Sequence, residues 1–267
     1  MRESIRSTFT ERGIRTSVVL LGVLLVVGVL ATGSVAGLQT VDECQILDTP
    51  NETYQLNDTI QNDTAGTCLE ITADGVTLDG DGYTVDGVNQ TTDSVGVLVE
   101  GVDNVTVKNF GNVTRWQYGI VVGEAPNSTL TDNTANANSR AGIYMLTIGS
   151  TLTRNTANDN GLNGVHLTSG SSENTLTDNT ADNNGEVGIL VEDSNDNLLE
   201  LNEANENKWG IIVIGTQDNE IVENVASRNE GETGSEQLPF IISDFPGIGI
   251  KIAGSADTTV QDNEANQ

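Results

Sequence analysis

From residue 96 onward the apolar positions of the chain fall into short alternations that begin at a glycine: "GVLV" at 96, "GIVV" at 119, "GIYM" at 142, "GVHL" at 164, "GILV" at 188, "GIIV" at 210 and "GIKI" at 249. Alternation with a period of two is the signature of a strand, so residues one and three after each glycine point inward and the residue two after it points outward. A second word follows six of these runs: "NTANAN" at 133, "NTANDN" at 155, "NTADNN" at 179, "NEANEN" at 202, "NVASRN" at 224 and "NEANQ" at 263. Three residues before each word stands Leu130, Leu152, Leu176, Leu199, Ile221 or Val260. The glycines are spaced 23, 23, 22, 24, 22 and 39 residues apart.

A period of 22–24 residues made of strands too short to close a core alone predicts stacked coils, each hydrogen-bonded to its neighbours. The fold class expected is therefore all-β, a single-stranded right-handed parallel β-helix. Leucine-rich repeats share the period and an asparagine ladder, but their regular leucines are missing. Equivalent residues of stacked coils lie about 4.8 Å apart. At that spacing Asn133, Asn155, Asn179, Asn202, Asn224 and Asn263 can pass an amide hydrogen bond from coil to coil. The alanines of the word, such as Ala135 and Ala157, suit a tight inward corner.

The same reading divides the chain. Residues 69–88, "LEITADGVTLDGDGYTVDGV", alternate between Asp-Gly turns and supply the first coils, so the β-helix spans 69–267 with segment 37–68 as an N-terminal cap. The 39-residue spacing contains an insertion, "EGETGSEQLPFIISDFPG" at 230–247. The last coil is incomplete, because the second asparagine of the word, five residues after Asn263, would fall at 268. An open last coil offers unpaired backbone groups for self-association or a partner.

Residues 1–36 differ in kind. Arg2, Arg6, Arg12 and Arg15 precede "SVVLLGVLLVVGVLATGSVAG", which reads as an export signal or a membrane anchor. Its apolar core, Val18 to Ala31, is 14 residues long, and "SVA" at 34–36 offers small residues for cleavage; both favour removal over anchoring. Export to the cell surface or beyond agrees with the two cysteines, Cys44 and Cys68, for which a bridge is expected. Seven N-x-S/T sequons, at Asn51, Asn57, Asn62, Asn89, Asn104, Asn112 and Asn127, make the exported chain a candidate glycoprotein.

Charge narrows the partners. Lys plus Arg number 11 and Asp plus Glu 39, a net charge of -28, which repels nucleic acid and anionic lipid. The acidic residues are scattered rather than collected in a tail, as expected of a surface adapted to high salt, where the Debye length shrinks to about 3 Å. Asp79, Asp81 and Asp86 offer a calcium cluster, although the Asp-Gly turns account for them without a metal. Beyond calcium no cofactor is implied.

The "NTLTDNTADNNGEVGILV" type of repeat, the "VTLDGDGYTVDG" stretch and the paired cysteines resemble the NosD-like right-handed parallel β-helix family, the carbohydrate-binding and sugar-hydrolase type of domain, in a version typical of salt-loving archaea. The resemblance covers residues 44–267. It implies polysaccharide binding or cleavage, maturation of a copper enzyme, or cell-surface roles. The N-T-D, D-D, H-G and R-x-K motifs of pectin hydrolases of this fold are absent. Copper handling lacks ligands, since the chain after residue 36 holds one histidine, one methionine and two cysteines expected to be bridged.

Candidate chemistry lies on the outward column Leu98, Val121, Tyr144, His166, Leu190, Ile212 and Lys251, beside Tyr118 and Trp209. An exposed strip of Tyr118, Tyr144, His166 and Trp209 would stack sugar rings or receive a protein, with Phe240 and Phe245 of the insertion as further ligand contacts or as a cover. As catalytic candidates the strip offers His166, Glu192 and Arg140, with Glu186 near them, while a surface histidine without catalytic duty is the simpler account of His166. The function expected is an exported, non-catalytic protein that binds glycan or a cell-surface partner; the alternative is a polysaccharide hydrolase or lyase acting around His166.

Overall fold

The computed structural model describes residues 37–61, 66–88, 94–168, 170–230 and 249–266. Strands of two to seven residues pair in parallel and stack into three sheets, as the repeat predicts. A ten-stranded sheet runs from Leu38–Val41 to Thr259–Gln261 and carries the threonine-flanked leucines of the repeat. A nine-stranded sheet runs from Gln45–Leu47 to Ile250–Ala253 and carries the glycine-led alternations. A third, three-stranded sheet is continued down the stack by single bridges from Thr134 through Thr156, Thr180, Glu203 and Val225 to Glu264. Segment 37–68 already enters both large sheets, since Leu38–Val41 pairs with Thr53–Leu56 and Gln45–Leu47 with Gly66–Ile71. The Cys44–Cys68 disulfide joins the latter two strands, with Cα atoms 4.4 Å apart.

Inward positions are those predicted. Ile143, Met145, Val165, Leu167, Ile189 and Val191 of the nine-stranded sheet are fully buried, as are Leu130, Leu152, Leu176, Leu199 and Ile221 of the ten-stranded one. The glycine that opens each run faces the interior. A Cβ on Gly142 would come within 2.5 Å of the Ala135 carbonyl oxygen and 2.9 Å of Ala157 Cβ, and one on Gly164 within 2.7 Å of Ala181 Cβ. The alanine corner and the glycine are thus two halves of one close contact between turn and strand.

The asparagine ladder exists, and it does more than bridge coils. In Asn133, Asn155, Asn179 and Asn202 the side-chain amide donates both to the carbonyl of the next ladder residue, at 2.9–3.0 Å, and to a strand carbonyl of the preceding coil, Val107, Leu130, Leu152 or Leu176. Asn224 continues it to Asn263 at 2.9 Å. A second ladder joins Asn138, Asn160, Asn184 and Asn207, each amide 3.1–3.2 Å from the next carbonyl. A third, not foreseen from sequence, joins Asn174, Asn197 and Asn219 at 3.1 Å and is headed by Ser150, whose backbone N–H donates to Asn174. Just before the first-ladder asparagines, Asp132, Arg154, Asp178 and Leu201 hold φ between 54° and 57°, a left-handed turn that costs non-glycine residues about 1 kcal/mol each and which the buried amides offset.

The 39-residue spacing does not disturb the stack, because Trp209–Ile214 pairs directly with Ile250–Ala253, Ile212 opposite Lys251. Nearly all of the insertion at 230–247, and the whole of segment 1–36, lie outside the described residues. Among the described residues no helix is long and apolar enough to cross a membrane.

Candidate functional site

The outer face of the nine-stranded sheet is set by register. Leu98, Val121, Tyr144, His166, Leu190, Ile212 and Lys251 are aligned on successive strands, and Tyr118, Ala141, Asn163, Val187 and Trp209 form the adjacent column. This alignment brings Tyr118, Tyr144 and His166 together, with Arg140 and Glu192 against them. The Tyr118 and Tyr144 rings meet edge to face with centroids 5.3 Å apart, and Tyr144 meets the His166 ring the same way at 5.2 Å. Arg140, exposed at the start of its strand, rests over Tyr118 with its guanidinium carbon 5.5 Å from the ring centre. On the far side of the imidazole, His166 Nε2 is 3.6 Å from Glu192 Oε2.

Burial, which disfavours a charged ring, and then the nearby Arg140 push the His166 pKa from 6.5 down to about 4. At neutral pH the imidazole is uncharged, so the approach of Glu192 is a polar contact and not an ion pair. Only 16% of the His166 side chain is exposed, and Nε2 is shielded from solvent without a hydrogen bond. A neutral ring with an uncommitted nitrogen can accept a proton, and only a closer approach of the Glu192 carboxylate would hold it there against burial and Arg140.

Other expectations fare differently. Trp209 is not part of an exposed strip: it is 4% exposed and packs with Val187 and Ile212 in a small apolar cluster separate from the core, against Leu190 and Ile214. Its outward position was legible, but its burial depends on large neighbours that no alternation encodes. Lys208 lies 4.4 Å over the Trp209 ring. Phe240 and Phe245 lie outside the described residues. Glu186 is half-buried, and its backbone carbonyl accepts from Trp209.

The aspartates at 79 and 86 have protein partners. Asp79 pairs with Lys108 at 3.2 Å and accepts from the Asp81 N–H and from Asn109. Burial alone would raise its pKa, but these contacts outweigh it and hold the carboxyl below its ordinary value. Asp86 is clasped by both ends of the Arg115 guanidinium, which lowers it likewise against the effect of burial. Among the described residues no group of three or more His, Cys, Asp or Glu side chains is placed to hold a metal ion.

Two features of this face were not read from sequence. A groove of about 350 Å³, lined by Glu124, Pro126, Leu146, Thr147, Ile148 and Gly170, opens at the end of the strand that carries Tyr144. Asn163, in the Tyr118 column on the strand Asn163–Leu167, is 8% exposed and its side-chain carbonyl has no partner among the described residues. Both residues of interest in that strand, Asn163 and His166, break the apolar pattern of the repeat, which is the one signal that marked them.

Parallel strands stacked coil on coil into three sheets define the class of parallel β-helix proteins. The chain belongs to the family described as right handed beta helix region, whose model matches residues 59–204 and 95–265. No curated protein sequence matches it. Among solved structures it is similar to the enzymatically active domain of tailspike protein 2 of bacteriophage CBA120, with a TM-score of 0.67 and 13% identity over 85% of this chain and 38% of that one. The DFA-IIIase of Arthrobacter chlorophenolicus A6 follows with a TM-score of 0.58 and 17% identity over 83% of this chain and 60% of the enzyme. The mannuronan C-5 epimerase AlgE6 A-module of Azotobacter vinelandii gives 0.51 and 19% over 73% and 66%. The chain thus spans 38% of the tailspike domain, and at these identities the likeness is one of fold.

Proposed function

We propose that the outer face of the nine-stranded sheet binds a glycan and cleaves it, with His166 as the proton acceptor. The observation that carries this reading is the approach of Glu192 to within 3.6 Å of the shielded, uncommitted His166 Nε2, beside an edge-to-face tyrosine pair and Arg140. Tyr118 and Tyr144 offer ring edges and faces to a sugar. The neutral imidazole takes a carbon-bound proton of the sugar, the freed electron pair forms a double bond as the glycosidic C–O bond breaks, and the leaving oxygen takes up a proton; Glu192 stabilises the imidazolium and Arg140 the negative charge that develops on the substrate. A 3.6 Å separation is longer than a hydrogen bond, and such contacts tighten when substrate excludes water. One base beside one cation suits base-initiated, lyase-type cleavage better than a hydrolase, which uses two carboxylates flanking the bond. That the likeness in fold includes a mannuronan epimerase and DFA-IIIase supports a glycan in preference to a protein partner.

The proposal extends to setting. The basic, apolar segment 1–36 and the disulfide suit an exported protein, and the scattered acidic surface suits high salt, as in the NosD-like proteins of salt-loving archaea. The test is release of new reducing ends or unsaturated products from a polysaccharide panel in molar salt. Removing a general base costs about 10²–10⁴ in rate, so His166→Ala should abolish detectable release and Glu192→Gln should reduce it. Release that survives His166→Ala removes the assignment. Binding without release by the wild type returns the face to a non-catalytic role.

A further inference from the structure

The chain satisfies its asparagines with unusual thoroughness. In the inner ladders each buried carbonyl accepts from both the backbone and the side chain of the preceding ladder residue, as Asn179 does from Asn155. Asn163 is the exception: it is more than nine-tenths buried, and its carbonyl oxygen is shielded without any donor. It belongs to none of the ladders. At its position the other coils carry Tyr118, Ala141, Val187 and Trp209, none of which has an amide, so the repeat does not require one there. An orphaned buried acceptor carries a desolvation penalty that an apolar residue of the same shape would avoid.

Asn163 is aligned with Ala141, the smallest side chain of its column, and beyond Ala141 stands Tyr118. On the neighbouring column, the Tyr144 ring lies between Tyr118 and His166. Asn163 and His166 share the strand Asn163–Leu167, and each presents a shielded polar atom without a hydrogen-bond partner. Two such atoms on one strand, beside two tyrosine rings and a covered alanine that is 2% exposed, are polar and aromatic contacts of the kind a ring-shaped, polyhydroxylated ligand uses once the outer side chains move aside.

We infer that Asn163 is a ligand-contacting residue of this face, its side-chain carbonyl accepting a hydrogen bond from a hydroxyl or amide N–H of a sugar that lies against the tyrosine pair and His166 once the side chains covering Asn163 move aside. This rests on the glycan reading and adds to it a residue that reads a donor on the sugar. Reaching both polar atoms requires outer side chains to move, and Arg140, exposed and resting on the Tyr118 ring, is placed to do so.

The test uses isothermal titration calorimetry of the full chain in molar salt with three probes: chitohexaose, an inulin hexasaccharide and hexamannuronate. Asn163→Leu removes the acceptor and keeps the volume. For whichever probe the wild type binds, the variant should bind at least tenfold more weakly while melting at the same or a higher temperature, because the orphan is gone. Asn163→Asp, which retains acceptor oxygens, should bind within a few-fold of wild type. An unchanged Kd for Asn163→Leu, or a lower melting temperature that marks the carbonyl as structurally engaged, overturns the inference. If His166→Ala abolishes cleavage while Asn163→Leu binds normally, the inference fails alone; if none of the probes nor any polysaccharide of the panel binds the wild type, the glycan reading fails with it.

Discussion

Replacing Asn179 by alanine is the most severe small change that the ladders allow. The residue is 1% exposed, and its side chain makes four hydrogen bonds: it accepts from the Asn155 backbone N–H at 2.9 Å and the Asn155 amide at 3.0 Å, and donates to Asn202 and the Leu152 carbonyl at 2.9 Å each. In the variant the Asn155 N–H is stranded in the core, at about 1–3 kcal/mol, and the other three bonds are lost at about 0.5–1.5 kcal/mol each. Allowing for partial relaxation, the expected loss is roughly 3–6 kcal/mol, a large share of the 5–15 kcal/mol typical of a domain. Asn263→Ala is the control. Asn263 makes similar bonds to Asn224 and Ile221, but it is half-exposed and water replaces them, so the loss should be under about 1 kcal/mol. Urea denaturation in molar salt measures both, and hydrogen exchange should show the Asn155 amide unprotected in the Asn179 variant. A loss below about 1 kcal/mol for Asn179→Ala, or equal losses at the two positions, would refute the view that buried amides hold the coils together.

Further consequences follow from charge and covalent structure. Burial first, with Glu203 and Glu206 nearby, raises the pKa of Asp182, against the Asn205 N–H and Arg228, so its charge costs stability above that pKa and the cost fades as pH falls through it. Asp182→Asn keeps the acceptor that the Asn205 N–H uses at 2.6 Å; it should melt higher than wild type at pH 7, with the gap closing near pH 4, and a lower melting temperature at pH 7 would contradict this. Reducing the Cys44–Cys68 bridge opens a loop with a sequence separation of 24 and should cost about 3 kcal/mol in the chain-entropy model, read as a lower urea midpoint; no shift would show the first coils to be held by strand pairing alone. Diluting salt from molar to tens of millimolar should lower the melting temperature, because a net charge of -28 is then screened over a longer distance. An unchanged midpoint removes the argument for adaptation to salt.

What could be read from the sequence follows from what repetition encodes. The coil period, the inward Ile, Val and Leu, the ladder through Asn133 to Asn263 and the outward column of Tyr144 and His166 each recur at a fixed offset, and each stands where the alternation placed it. The ladder through Asn174 was hidden because serines stand at its upper positions: Ser150 Oγ accepts the Ser128 N–H, as Asn174 and Asn197 accept the N–H groups of Ser150 and Asn174. The left-handed turns before the ladders were hidden too, since Leu201 and Arg154 are residues that seldom adopt them, and only the bonded asparagine that follows makes them tolerable. The site was half legible. Alternation located Tyr118, Tyr144 and His166, but the burial of Trp209, the orphan carbonyl of Asn163 and the approach of Glu192 to His166 arise from side-chain packing across different coils.

Because His166 is the only histidine in the chain, its ring gives one set of imidazole signals, and a pH titration of these signals by NMR, without and with an oligosaccharide that the protein cleaves, examines the site directly. Burial and Arg140 place its pKa near 4, so wild-type folding stability should fall as pH drops from about 6.5 towards 4, where the unfolded chain takes up a proton that the folded ring refuses. The expected spectrum shows titration near pH 4 in the free protein, and a shifted ring signal with a raised pKa in the complex, as Glu192 closes on the imidazole and outweighs the further loss of water. A ring that titrates near 6.5 and does not respond to a sugar the protein demonstrably cleaves would place the chemistry elsewhere on the β-helix.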